Sequence, residues 1–201
     1  MRLTGRRAHA TVAIALVCVA LGVAALLAGG KASQPPSQSR STATRRSSAA
    51  STRHLAQPVG TAPSESAQMV CATEAQRDVA SVLGTTTPAP VSPTWIDDVY
   101  ACRYIYSDGA IALSVKELSN SSQTTAYFAA LRALLGQREH LKGLGQGAFL
   151  TPNSAVVARK DYKVLVVDTT GLPEHFGDPA MPRSQVAIDV AVTILGCWTG
   201  A

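Results

Sequence analysis

The sequence predicts an α+β domain: an antiparallel four-stranded sheet from two hairpins, with helices packed on one face, in the order α-ββ-α-ββ-α. Three observations carry this. Two segments repeat apolar residues at helical spacing. Two pairs of segments alternate apolar and polar residues around a turn. The last apolar segment is too long for an ordinary strand.

The first helix runs from Ala72 to Leu83, where Ala75, Val79, Val82 and Leu83 share one side and Gly84 supplies a stop. The stretch TTTPAPVSPT is a loop, because proline fixes φ and removes backbone donors. From Val99 to Tyr106, Tyr100, Cys102, Tyr104 and Tyr106 alternate with Ala101, Arg103 and Ile105, the period of a strand. Asp108-Gly109 marks the turn, and Ile111, Leu113 and Val115 return against Ala112, Ser114 and Lys116. Gln123 to Leu135 is a helix with the stripe Tyr127, Phe128, Leu131, Leu134 and Leu135, ended by Gly136. The Gly-rich connection HLKGLGQGAFLTPN leads to a second hairpin, residues 155–159 and 164–168, around Asp161. GLPEHFGDPAMPR reads as a loop. Ser184 to Trp198 fits both periods, but fifteen residues suit a helix better than a strand.

The chain has 201 residues, 46% hydrophobic and 15% charged, with a net charge of +5. The charge is unevenly divided. Residues 1–67 hold eight Lys/Arg against one acid (+7), and residues 68–201 hold ten against twelve (−2). A nucleic-acid surface needs clustered cations to release counterions, so the C-terminal part is not expected to bind nucleic acid. One apolar run only excludes a multi-pass transporter.

Four segments follow. Residues 1–10 form a basic stub with Arg2, Arg6 and Arg7. Residues 11–30 carry no charge, long enough at helical rise to cross a hydrocarbon layer of about 30 Å. They are read as a signal anchor contacting the membrane, with the C-terminal domain outside; a cleaved signal peptide and secretion is the alternative. Cys18 follows Val17 rather than a small residue and is read as part of the span. Residues 31–67 are rich in Ser, Thr, Pro and Ala and read as a disordered linker. Residues 68–201 form the exported domain.

In an oxidising compartment cysteines tend to pair. Cys71, Cys102 and Cys197 are available there. Cys71–Cys102 would tie the first helix to the first strand, and Cys71–Cys197 is the alternative. Cys197 beside Trp198 suits an apolar core thiol. No CxxC and no His at ligand spacing supports zinc, and no cofactor is called for.

Cys71 before a short helix ending Val82-Leu83-Gly84, then Cys102-Arg103-Tyr104, then Gly143-Leu144-Gly145-Gln146-Gly147-Ala148-Phe149, form a recognisable order. It resembles exported, often lipid-anchored, actinobacterial domains of unknown function. These share a Cys…Cys pair, a Gly-x-Gly-x-x-Ala-Phe turn and a Ser/Thr/Pro-rich tether. The resemblance covers about residues 68–170. It implies a cell-envelope location, a Cys71–Cys102 bridge and no established enzymatic activity. The chain departs from that pattern in lacking a lipidation cysteine and in carrying Cys197-Trp198.

The candidate sites are sparse. Tyr100, Tyr104 and Tyr106 on one strand face would line an apolar ligand groove, with core packing as the plainer reading. Glu174, His175 and Asp178 lie together in the proline-rich loop and with Asp168 would build an acid–base site; with no nucleophile motif such as G-x-S-x-G beside them, a flexible, solvated loop is the plainer reading. Gly143, Gly145 and Gly147 follow a helix and precede a strand, the reverse of a phosphate loop, and read as a tight connection. Asp97-Asp98 alone is thin for a cation, and Asn120-Ser121-Ser122 is a glycosylation triplet. The expectation is a membrane-tethered or secreted envelope module that binds a protein, glycan or lipid. A sensor acting through a partner and an envelope hydrolase are the alternatives.

Overall fold

The computed structural model describes residues 59–89 and 92–198. The stub, the apolar run 11–30 and most of the linker lie outside the described residues. The elements are α1 (Glu65–Gln68), a 3-10 turn (Met69–Cys71), α2 (Thr73–Val82), β1 (Thr94–Ile96), β2 (Val99–Tyr106), β3 (Gly109–Glu117), α3 (Ser121–Leu135), β4 (Glu139–Leu141), β5 (Gly147–Leu150), β6 (Val156–Lys160), β7 (Lys163–Asp168), β8 (His175–Phe176), β9 (Met181–Pro182) and α4 (Arg183–Cys197). Seven strands form one antiparallel sheet in the order β1-β2-β3-β7-β6-β5-β4, and β8 and β9 pair separately.

This corrects the expected four-stranded sheet with helices on one face. The two hairpins are present, as β2–β3 and β6–β7, and they join through β3 and β7. Three further strands extend the sheet. β1 and β4 are three-residue edge strands whose few residues carry no readable alternation. β5 brings Ala148 and Leu150 to one face and Phe149 to the other. The helices divide between the two faces. α2 and α4 pack with Leu113, Val115, Leu165 and Val167 in the main core. α3 packs on the opposite face, where Tyr127, Phe128 and Leu131 meet Phe149, Val157 and Val164. The cause lies in β6 and β7: consecutive Val156-Val157 and Val164-Leu165 are all buried, so both faces of these strands need cover.

Local signals explain most element ends. Asn120 caps α3, its side chain accepting from the Gln123 amide at 2.9 Å, and Gly136 leaves the helix with φ of 76°. Asp97-Asp98 and Asp161-Tyr162 all have positive φ, so the β1–β2 and β6–β7 links are tight hairpin turns. On α2, Gln76 rather than Val82 faces inward; its amide donates to the Cys71 carbonyl at 2.9 Å, and Val82 is half exposed. Gly84, at φ of 60°, passes so close to Asp178 that a Cβ there would overlap its carbonyl. Lys160 donates to the Leu195 and Trp198 carbonyls at 3.3 and 3.0 Å, placing a cation at the end of α4.

Cys71 and Cys102 form a disulfide, with 6.0 Å between their Cα atoms, which ties the 3-10 turn to β2. Cys197 is a half-buried thiol donating to the Thr193 carbonyl at 3.4 Å. Burial, then the acids Asp78 and Glu74, push its pKa up.

The expected single-pass membrane location is also corrected. No helix among the described residues is long and apolar enough to cross a membrane. The longest, α3 and α4, have 15 residues each, about 22 Å at helical rise against a hydrocarbon layer of about 30 Å. The run 11–30 on which that location rested lies outside the described residues.

Candidate functional site

Alternation on β2 assigns each side chain to one of two faces. Cys102 and Tyr104 are buried toward α2 and α4, whereas Arg103 and Ile105 are exposed on the other side. The register carries that outer side across the sheet. Thr94 lies opposite Ala101, Ala101 opposite Ser114, and Ser114 opposite Val166. In the next row Arg103 lies opposite Ala112, and Ala112 opposite Asp168.

α3 covers this outer face only over β5, β6 and β7. There Phe128 meets Phe149 edge to face at 5.2 Å. Arg159 lies over the Phe128 ring at 5.4 Å and donates to Thr125 at 2.7 Å, which closes the seam. Over β1, β2 and β3 no helix lies among the described residues. A groove of about 450 Å³ remains, lined by Thr94, Ala101, Arg103, Ile105, Ala112 and Ser114 among others. The groove exists because Ala101, Ala112 and Ser114 on its floor are small. A second hollow of about 290 Å³ adjoins it and is lined by Arg103, Ala112, Asp168 and Thr170 among others. The two share Arg103 and Ala112.

The charges at this site are unmatched. The one ion pair among the described residues is Lys116–Asp98 at 3.4 Å, on the β1–β2 turn. Arg103 therefore has no ionic partner there, and neither has Asp168. One Asp168 oxygen accepts from the Thr170 amide at 2.8 Å.

The other candidate residues lie elsewhere. Tyr104 is fully buried and its hydroxyl donates to the Val70 carbonyl at 2.7 Å. Tyr106 packs edge to face on Phe176 at 5.0 Å. Burial pushes Tyr106 up to about 12, with the nearby Thr85 hydroxyl pulling slightly back, and raises Tyr104 and Tyr100 as well. The tyrosine face is thus the side packed against α2 and α4. Glu174 and His175 are exposed at the start of β8, where the Glu174 carbonyl accepts from the Arg183 amide at 3.1 Å. Asp168 stands on the outer face of β7, and no hydrogen bond joins it to Glu174 or His175 among the described residues. No group of three His, Cys, Asp or Glu among the described residues is placed to hold a metal ion. Gly143 and Gly145 both take positive φ in the connection before β5, where the Gln146 amide donates to the Arg159 carbonyl at 2.8 Å.

Sequence reasoning passed over Arg103, Ile105 and Ala112 as the outward partners of the alternation. The signal was present. An outer face meant only for water reads charged and polar, and Ala-x-Arg-x-Ile with Ala-x-Ser on its neighbour does not.

No protein-family model, curated protein or solved structure matches the chain. The resemblance to exported actinobacterial domains finds no support there. Of what it implied, the Cys71–Cys102 bond is present.

Proposed function

We propose that the chain is an exported, secreted binding module of the cell envelope that holds its ligand on the bare half of the sheet. One observation carries the reading: an apolar groove of about 450 Å³ edged by an arginine that has no ion-pair partner among the described residues, on a face that α3 leaves uncovered. The disulfide agrees with export, since such bonds persist in oxidising compartments.

The test is a titration of the full chain with anilinonaphthalene sulfonate, an apolar anion, followed by amide chemical shifts. Shifts are expected at Ala101 to Ile105 and Ala112 to Ser114, and Ile105→Asp should remove them. Absence of shifts on β2 and β3 would overturn the reading.

A further inference from the structure

α3 departs from the pattern of a surface helix, which turns charged and polar residues to the water. Its fifteen residues include no acid and one cation, Arg132. Ala126, Ala130, Ala133 and Leu134 are exposed, Leu134 over 78% of its surface. Packing on β6 and β7 leaves that side of the helix open. Cations line one flank of it. Arg159 reaches α3 at Thr125 and Phe128, and Arg132 shares that flank at seven and four residues from them. Phe128 meets Phe149 of β5, and His140 lies opposite Phe149 on β4. Arg138 and Lys142 stand two residues to either side of His140, the spacing that keeps extended side chains on one face, and both are exposed. The one acid of that stretch, Glu139, lies opposite Leu150, which belongs to the inner core. Arg132, Arg138 and Lys142 have no ion-pair partner among the described residues.

We propose that this side of the molecule docks on an anionic lipid surface, with the open side of α3 at the headgroup–acyl boundary and Arg132, Arg138 and Lys142 against the phosphates. The combination of parts selects the partner. A soluble polyanion would neutralise the cations and leave Leu134 in water. A second copy joined through the same side would set these cations against their own kind. A lipid surface takes the apolar side chains and the cations at once. The proposal does not rest on the groove over β1–β3, which opens on the same face of the sheet.

The full chain is mixed with phosphatidylcholine vesicles, with and without phosphatidylglycerol, and followed by amide hydrogen exchange. The readout is local because residues 1–30 carry cations and an apolar run of their own. Slowed exchange is expected at residues 130–142 on the anionic vesicles and not on the neutral ones. Leu134→Ser should weaken this docking about tenfold or more, and Arg132→Ala and Arg138→Ala about fivefold each. Ala130→Asp, which sets an acid against the lipid, should abolish it. A thermal melt of each variant separates lost docking from lost folding. Equal slowing on both kinds of vesicle overturns the proposal, as does a chain held on vesicles with exchange at 130–142 unchanged. Slowing by inorganic polyphosphate that survives Leu134→Ser overturns it in favour of a soluble polyanion. A concentration-dependent dimer that forms without lipid and is lost in Ala130→Asp overturns it in favour of self-association. The shifts expected on β2 and β3 with anilinonaphthalene sulfonate are separate from all of these, so the groove reading stands or falls by itself.

Discussion

The two faces of the sheet are made from the same strands by alternation, yet they are finished differently. The inner face carries Tyr104, Ile111, Leu113, Val115, Leu165 and Val167, all buried beneath α2, α4 and the small β8–β9 hairpin. The outer face is completed by α3 over β5 to β7 and stops there. Its remaining half carries Ala101, Arg103, Ile105 and Ala112, too small and too charged to recruit a helix. The inner face is built for stability. The bare half contributes little to folding, which leaves its side chains open to selection for recognition.

That difference can be graded by substitution. The largest loss is expected where the inner face is fastened from outside the sheet. Replacing Cys71 and Cys102 together by Ala opens a loop of 31 residues and should cost about 3–4 kcal/mol in urea unfolding. Ile194→Ala on α4, which is 1% exposed, should cost about 3 kcal/mol in the same assay. The tyrosines give the inner face a pH signature. Tyr106 titrates near 10 unfolded and near 12 folded, so its share of stability is intact below pH 10 and lost as pH rises from 10 through 12. Urea midpoints across that window should fall, and Tyr106→Phe should flatten the fall. On the outer seam, half-buried Leu131→Ala should cost about 1 kcal/mol. On the bare half, Ile105→Ser should change stability by no more than about 0.5 kcal/mol. An Ile105 loss as large as that at Ile194 would erase the contrast between the faces.

The same division explains what the sequence disclosed. Long segments with one period were legible: α2, α3, α4 and both central hairpins stand close to where their patterns put them. β1 and β4 were not, because three residues among prolines or glycines carry no period. The split of the helices between two faces was written in Val156-Val157 and Val164-Leu165, where burial on both sides overrides alternation. The α3 stripe also overstated its seam. Leu134 is 78% exposed, since the helix outruns the apolar patch beneath it. Of the candidate residues, Asp168 alone lines the hollow beside the groove, and Arg103 was hidden by its role as a strand's outward member.

The strand order has a consequence for how the molecule comes together. β1, β2 and β3 form one meander and β4 to β7 another, each linked only to its sequence neighbours. A single seam, the six matched positions between β3 and β7, closes the two into one sheet. Each meander can zip up locally, and the slow step of assembly is their meeting edge to edge. A nick between Glu117 and Ser121 would divide the chain between the two meanders and leave that seam to rejoin them.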